Sequence, residues 1–404
     1  MKIALISFEY PPDTAYGGIA TYAHQAATLL TWRGHTVEVF AGSRDRSGTD
    51  IEGAVTVHRI QVKQKIDFIR AVVPIFLGRH QATAFDVVEG PEYGADAAGI
   101  AQAVPDLPLV VKLHTPRELI DLYEGQPNAI DQLRTRLGAL RRGIHPLRNL
   151  EQTHTLEADE IAAPSWALGK DLIQRWGLNS AKVHQYPLPF TPDPNLLAIP
   201  VNTSTQRVTF IGRLDIKKGV VDLADAIPLV LAQLPTAQFR LIGRNGQSPI
   251  PQIDMQTFLT QRLQSDLASV EFTGPVPADR IPDYLANTDI CVFPSRWESF
   301  GLVCLEAMTA ARGVIGSSAG GMAEIITSYE VGRLVPPQNP AAIAAAIIEL
   351  LNDPDLRMEL GHNARQRVLA EYSGDRIGQL QEASYQRAIE AHQAAGRRRR
   401  RLWL

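Results

Sequence analysis

With 404 residues, 45% hydrophobic and 21% charged side chains, the chain reads as a soluble globular protein long enough for two domains of ordinary size. A net charge of −3 gives no overall reason to expect a nucleic-acid partner. No run approaches the roughly 18 uninterrupted apolar residues of a membrane span, and Cys291 and Cys304 lack C-x-x-C spacing, so they read as reduced, buried thiols of a cytoplasmic protein.

The N-terminus, MKIALISFEYPP, has neither a long apolar core nor a small-residue cleavage site and is expected to be a first strand, Lys2 to Phe8. The loop PPDTAYGG ends in Gly17 and Gly18. An amphipathic helix follows over Ile19 to Trp32, closed by Gly34, then a strand over Thr36 to Phe40. Further strands are expected at Val55–Ile60, Asp86–Glu89 and Leu109–Leu113, and around Glu160–Ala163 and Val183–Tyr186. Such alternation implies a doubly wound, mostly parallel sheet.

From Pro187 to Thr205 the texture changes to PLPFTPDPNLLAIPVNTST, with five prolines and no periodicity, which reads as a linker. A second alternation starts at Arg207–Ile211. It continues with a helix from Gly219 to about Leu234, strands near Phe239–Ile242 and Val270–Phe272, and a helix over Arg280–Ala286. After the stretch 289–311, strands near Val314–Ile315 and Gly332–Val335 and helices over Ala341–Leu351 and Asp355–Glu371 complete it; another helical segment runs from Asp375 to about Ala395. Two Rossmann-like domains on a proline-rich hinge are expected to hold a ligand in a cleft between them, at strand C-terminal ends.

Asp289 to Ala311 is the most informative stretch. Ile290 to Phe293 reads as a buried strand, Ser295 to Gly301 as a loop and Leu302 to Ala311 as a helix with apolar or small residues nearly all round. Glu306 lies in its middle, where a buried carboxylate needs a protein partner or a ligand. Glu298 lies in the preceding loop, and a helix starting near Gly301 would separate the two carboxylates by roughly 7–8 Å along its axis. The amides of Phe300, Gly301 and Leu302 would point out of the helix N-terminus, where anions and hydroxyls are welcome. In FIGRLDIKKG, Phe210 to Gly219, a strand runs into Arg213, Lys217, Lys218 and a helix start, which suits a diphosphate; solvated surface charge is the alternative.

Gly212-Arg213-Leu214-x4-Gly219 with Lys218 before the last glycine, Glu298-Ser299-Phe300-Gly301 followed by Glu306, and Gly320-Gly321-x-x-Glu324 together resemble the donor-binding set of glycosyltransferase family 4. The resemblance covers nearly the whole chain. It implies an α/β fold of the GT-B type, two Rossmann-like doubly wound domains facing an interdomain cleft. The expected organisation is an acceptor-binding domain over 1–186, a linker over 187–205, a nucleotide-sugar donor domain over 206–372, a closing helix over 373–396 that packs back on the first domain, and a basic tail over 397–404.

The resemblance also implies a retaining, metal-independent hexosyltransferase with no cofactor, moving a sugar from a UDP- or GDP-linked donor to a hydroxyl acceptor. Arg213 and Lys218 would hold the diphosphate and Glu306 the ribose hydroxyls. Glu298, with Ser299, Phe300, Gly301 and Leu302, would hold the donor sugar. Gly17 and Gly18 would bring backbone amides to phosphate or sugar, and His114, after the strand VVKL, would stand near the anomeric centre. His114, Arg213, Lys218 and Glu298 form the expected catalytic set, none of them an unambiguous nucleophile. Where relatives often show Gly-x-Gly after the strand at 239–242, this chain has Gly243-Arg-Asn-Gly246. Asp353-Pro-Asp355 resembles a metal-binding triplet, but its place before a helix marks it as a cap.

The acceptor stays open between a cell-envelope or exopolysaccharide glycan, a lipid-linked sugar, and a small sugar or sugar phosphate. Residues 134–148, with five arginines and no acid, suit an anionic membrane surface, a phosphorylated acceptor or a solvated helical face. The terminal RRRRRLWL is either a weak tether at the inner face of the membrane or a frayed tail. A non-catalytic nucleotide-sugar binder is the alternative of another class. A nicotinamide-dependent dehydrogenase is disfavoured because no G-x-G-x-x-G follows the first strand.

Overall fold

The computed structural model describes residues 1–14, 17–124 and 146–396. The arginine side chains of the 134–148 stretch and the tail 397–404 lie outside the described residues. The chain forms two compact units, Met1–Asp121 with Pro127–Pro189 and Gly374–Leu404, and Leu122–Gln126 with Phe190–Ser373.

The first unit holds an eight-stranded sheet: β1 (Lys2–Ser7), β2 (Thr36–Ser43), β3 (Gly48–Glu52), β4 (Val55–Gln61), β5 (Val87–Pro91), β6 (Leu109–Lys112), β7 (Glu160–Ala163) and β8 (Val183–Gln185). Their order is β3-β4-β2-β1-β5-β6-β7-β8, parallel except for the antiparallel edge pair β3–β4. Apart from the exposed Lys2 at the start of β1 and the buried Glu89 in β5, these two strands are mostly apolar and buried on both faces because helices cover both sides of a parallel sheet. The helix Gly18–Trp32 buries Ala20, Ala23, Ala27 and Leu30 at helical spacing. The C-terminal helix Gly374–Ala395 packs on β5, β6 and β7. There the Tyr385 hydroxyl donates to Glu89 at 2.9 Å and Arg387 pairs with Glu160 at 2.6 Å.

The second unit holds a six-stranded, wholly parallel sheet of β9 (Arg207–Ile211), β10 (Gln238–Ile242), β11 (Val270–Gly274), β12 (Ile290–Phe293), β13 (Gly313–Ser317) and β14 (Arg333–Val335), in the order β11-β10-β9-β12-β13-β14. Helices Val220–Leu231 and Pro340–Asn352 pack together over a core that includes Phe210, Ile227, Val292 and Ile347. The proline-rich stretch is not structureless. Asp193 and Pro194 supply an N-cap and a favourable first residue for a short helix, Pro194–Leu197. Arginines then grip the carbonyls beyond it: Arg365 reaches Ile199 at 2.7 Å, Arg357 reaches Thr203 at 2.6 Å, and Arg312 bonds Pro200. Asp353 caps the helix Pro354–Glu371 by accepting the amide of Leu356 at 2.9 Å. No described helix is long and apolar enough to cross a membrane.

Candidate functional site

In an open parallel sheet a ligand binds outside the strand C-termini where the strand order reverses. In the second unit that point lies between β9 and β12, and the loops leaving these strands carry Arg213 and Lys218 on one side and Glu298 on the other. Glycines let the loops meet. Gly219 has φ 70°, and a Cβ there would lie 1.9 Å from the carbonyl oxygen of Pro294, so only glycine allows the loop after β9 to touch the loop after β12. Gly320 has φ 74°, and its Cβ would meet the Glu298 carbonyl oxygen at 2.1 Å. Gly321 donates its amide to that oxygen at 2.7 Å, so the paired glycines clamp the backbone of Glu298.

Lys218 and Glu298, 80 residues apart in sequence, form a direct salt bridge. Ser295 adds a longer hydrogen bond to the same carboxylate oxygen at 3.4 Å. Burial acts to raise the carboxyl of Glu298, but the ammonium groups of Lys218 and Lys217 outweigh it and hold it below the usual carboxylate range. Arg213 is half exposed and bonds Asp215, whose other oxygen accepts the Lys218 amide at 2.8 Å. Asp215 thus holds the guanidinium of Arg213 and the backbone of Lys218, a role that its position inside the GRLDIKK segment did not reveal.

The helix Leu302–Thr309 begins at Gly301, φ 116°, and no side chain caps it. Its first amides are therefore free of a capping side chain, as an anion site requires. Phe300 is buried edge-on against Tyr372 at 6.0 Å, leaving its backbone to serve the loop, while Ser299 and Leu302 are half-buried. Glu306 is half-buried further along the helix, and no described residue hydrogen-bonds to its carboxylate. Burial, reinforced by the charge of Asp193, pushes it up to about 7.

Gly17, Gly18 and His114 belong to the first unit. Gly17 is extended, φ 176°, and a Cβ at Gly17 or Gly18 would find no atom within 4 Å, so packing does not explain either glycine. His114 is buried, its amide donating to Glu92 at 2.7 Å and its ring edge-on to Tyr22 at 5.1 Å. With Ser7, Tyr22, Glu89 and Pro91 it lines a cavity of about 10 Å³ at the β1/β5 reversal point, room for about one water. Burial first, then Lys112 and Lys65, push the imidazole down to about 3, so it is neutral at physiological pH and can exchange hydrogen bonds but not act as a cation. Among the described residues no group of three or more His, Cys, Asp or Glu side chains could hold a metal ion.

Residues 198–367 match the family model described as Glycosyl transferases group 1, and residues 16–192 match that of Glycosyltransferase Family 4. The glycogen synthase of Mycobacterium tuberculosis (strain CDC 1551 / Oshkosh) is 26% identical, over 92% of this chain and 91% of its own. The sucrose-phosphate synthase of Thermosynechococcus elongatus shares the fold at TM-score 0.73 and 22% identity, over 97% of this chain and all (100%) of its own. Anabaena HepE in complex with UDP-glucose shares it at TM-score 0.65 and 18% identity, over 96% of this chain and 100% of its own.

Proposed function

Because this chain belongs to glycosyltransferase family 4, we propose that it moves a sugar from a nucleoside-diphosphate sugar to a hydroxyl acceptor, with retention at the anomeric carbon and without a metal ion. The observation that carries this reading is the β9/β12 reversal point of the second unit, where Lys218 of the loop after β9 bonds Glu298 of the loop after β12, just before a helix N-terminus that no side chain caps. The diphosphate gains charge as its bond to the sugar breaks. Preorganised cations and amides stabilise that charge, and such electrostatics is usually the largest catalytic contribution.

The Lys218–Glu298 pair is a site closed on itself. An arriving diphosphate competes for the ammonium, and the released carboxylate turns to the hydroxyls of the sugar. The partnerless Glu306 accepts from the ribose diol, and neutral His114 supplies a hydrogen bond near the anomeric carbon. Since no described residue offers itself as an unambiguous nucleophile, the leaving phosphate itself helps to deprotonate the acceptor on the face it departs from. The reading includes a cytoplasmic protein, no cofactor, and a UDP- or GDP-linked donor. For the acceptor we favour a cell-envelope or exopolysaccharide glycan, with a small sugar or sugar phosphate as the second choice.

A thermal-shift panel of UDP, GDP and ADP and their glucose conjugates selects the donor, since a bound nucleotide stabilises by RT ln(1 + [L]/Kd). NDP release with that donor and candidate acceptors then continues unchanged in EDTA. Loss of activity in EDTA that Mg²⁺ or Mn²⁺ restores would contradict the assignment of Arg213 and Lys218 to the diphosphate.

A further inference from the structure

Arg296 lies two residues before Glu298 in the loop after β12, where an arginine free of partners would be one more cation for the diphosphate. The structure commits it elsewhere. Its guanidinium donates to both oxygens of Asp222, from Nε at 3.0 Å and from Nη2 at 3.1 Å. Both side chains are largely withdrawn from solvent, 17% and 8% exposed. A two-pronged grip of this kind fixes orientation as well as distance, which the point charge of a lysine does not. Asp222 lies in the first turn of the helix Val220–Leu231, where a negative charge also suits the positive end of the helix dipole.

The backbone joins the same two loops. The Arg296 amide donates to the Lys217 carbonyl at 2.8 Å, and Gly219 lies against the carbonyl of Pro294. Contacts between residues 294–298 and 217–222 are thus made by Pro294 with Gly219, by Arg296 with Lys217 and Asp222, and by Glu298 with Lys218. On the proposed function the donor opens only the last of these. The Arg296–Asp222 pair stands outside that exchange, since among the described residues neither side chain bonds Lys218 or Glu298.

We propose that Arg296 and Asp222 are positioning residues of the transfer reaction, a staple that keeps the loop of Glu298 against the loop of Lys218 while the bond between those two is open. The proposal rests on the reading of Lys218 as a diphosphate cation and of Glu298 as the group that receives the sugar hydroxyls. In the free protein the Lys218–Glu298 bond ties the loops as well, and the staple duplicates it. Once the diphosphate holds Lys218, the staple and the backbone contacts alone set where the Glu298 carboxylate stands. Loss of the staple is therefore felt in turnover more than in nucleotide binding, and only while Glu298 is there to be positioned.

The test uses the paired variant Arg296→Met/Asp222→Asn, because removing one partner leaves a buried charge uncompensated, whereas replacing both is often neutral for stability. Its Tm and its affinity for free NDP should stay close to wild type while kcat falls roughly ten- to a hundred-fold, the scale of a misplaced catalytic group. Added to Glu298→Gln, the same two substitutions should lower kcat no further, because the group they position is gone. A paired variant with wild-type kcat overturns the proposal, and so does a fall in kcat of equal size with and without Glu298. Should the paired variant fail to fold, Arg296→Lys, which keeps the charge and loses the two-pronged grip, is measured in its place against the same outcomes. Glu298→Gln alone separates the two readings. Wild-type turnover in that variant removes the role of Glu298 at the sugar; a large fall there, beside a paired variant with wild-type kcat, removes only the staple.

Discussion

Glu298 and Glu306 lie in one loop and the helix that follows it, eight residues apart, yet the protein treats them in opposite ways. Glu298 has its backbone clamped by Gly321, its carboxylate bonded to Lys218 and its charge held in place. Glu306 has no bonded partner among the described residues and is pushed up to about 7. A carboxylate that is paired before substrate arrives must be released by it, whereas a carboxylate left without a partner is completed by it. On the proposed function, the helix start serves an exchange of partners during the reaction, and the helix body simple capture.

The most damaging way to break this contrast is Lys218→Ala, which removes the proposed diphosphate cation and the partner of Glu298 together. The expected loss in kcat/KM is on the order of 10³-fold, and Tm falls because an uncompensated carboxylate is left in a largely buried place. The double variant Lys218→Ala/Glu298→Gln should recover Tm but not turnover; recovery of turnover would show that the pair is structural. Glu306→Ala comes next. Removing hydrogen bonds to a charged acceptor, worth about 1.5–3 kcal/mol, should weaken nucleotide binding roughly ten- to a hundred-fold, read by calorimetry.

The smallest effect is on stability. Unfolded Glu306 ionises near its ordinary value of 4.5, and folded Glu306 only near 7. As pH rises between these values the unfolded chain loses a proton that the folded protein keeps, so the carboxyl works against folding progressively from pH 4.5 to 7 and constantly above. The Tm of Glu306→Gln should match wild type near pH 4.5 and exceed it by a growing margin up to about pH 7. A variant less stable at every pH would mean that Glu306 has a structural partner.

Much of the fold could be read from the chain because β12 is buried throughout, and β9 and the helix Leu302–Thr309 are mostly buried and, apart from Arg207 and Glu306, show it as apolar or small residues. β3 was missed because it is a polar, largely exposed edge strand, GTDIE. The helix Lys65–Thr83 was missed because Pro74 interrupts it and its buried residues are confined to Phe68, Ile69, Val72 and Phe76. The glycine motifs announced a site, but not that Gly219 and Gly320 serve to bring backbone against backbone. The family resemblance implied Lys218 for the diphosphate and Glu298 for the sugar; it could not reveal that the two bond each other, because the contact is made by sheet order and not by neighbourhood in the chain. The helix inside the proline-rich stretch was hidden by the same prolines, although Asp193-Pro194 is the signature of a helix start.

The most direct measurement sets the affinity of free NDP beside steady-state turnover for Glu298→Gln and Glu306→Ala. Glu298→Gln removes the carboxylate that competes for Lys218, so NDP should bind as tightly as to wild type or more tightly, while kcat falls on the order of 10²-fold or more. Glu306→Ala should lose NDP affinity, with the larger part of its defect in binding. If Glu298→Gln weakens NDP as much as Glu306→Ala does, while kcat stays within a few-fold, both carboxylates hold the same end of the donor and the exchange of partners at Lys218 does not occur.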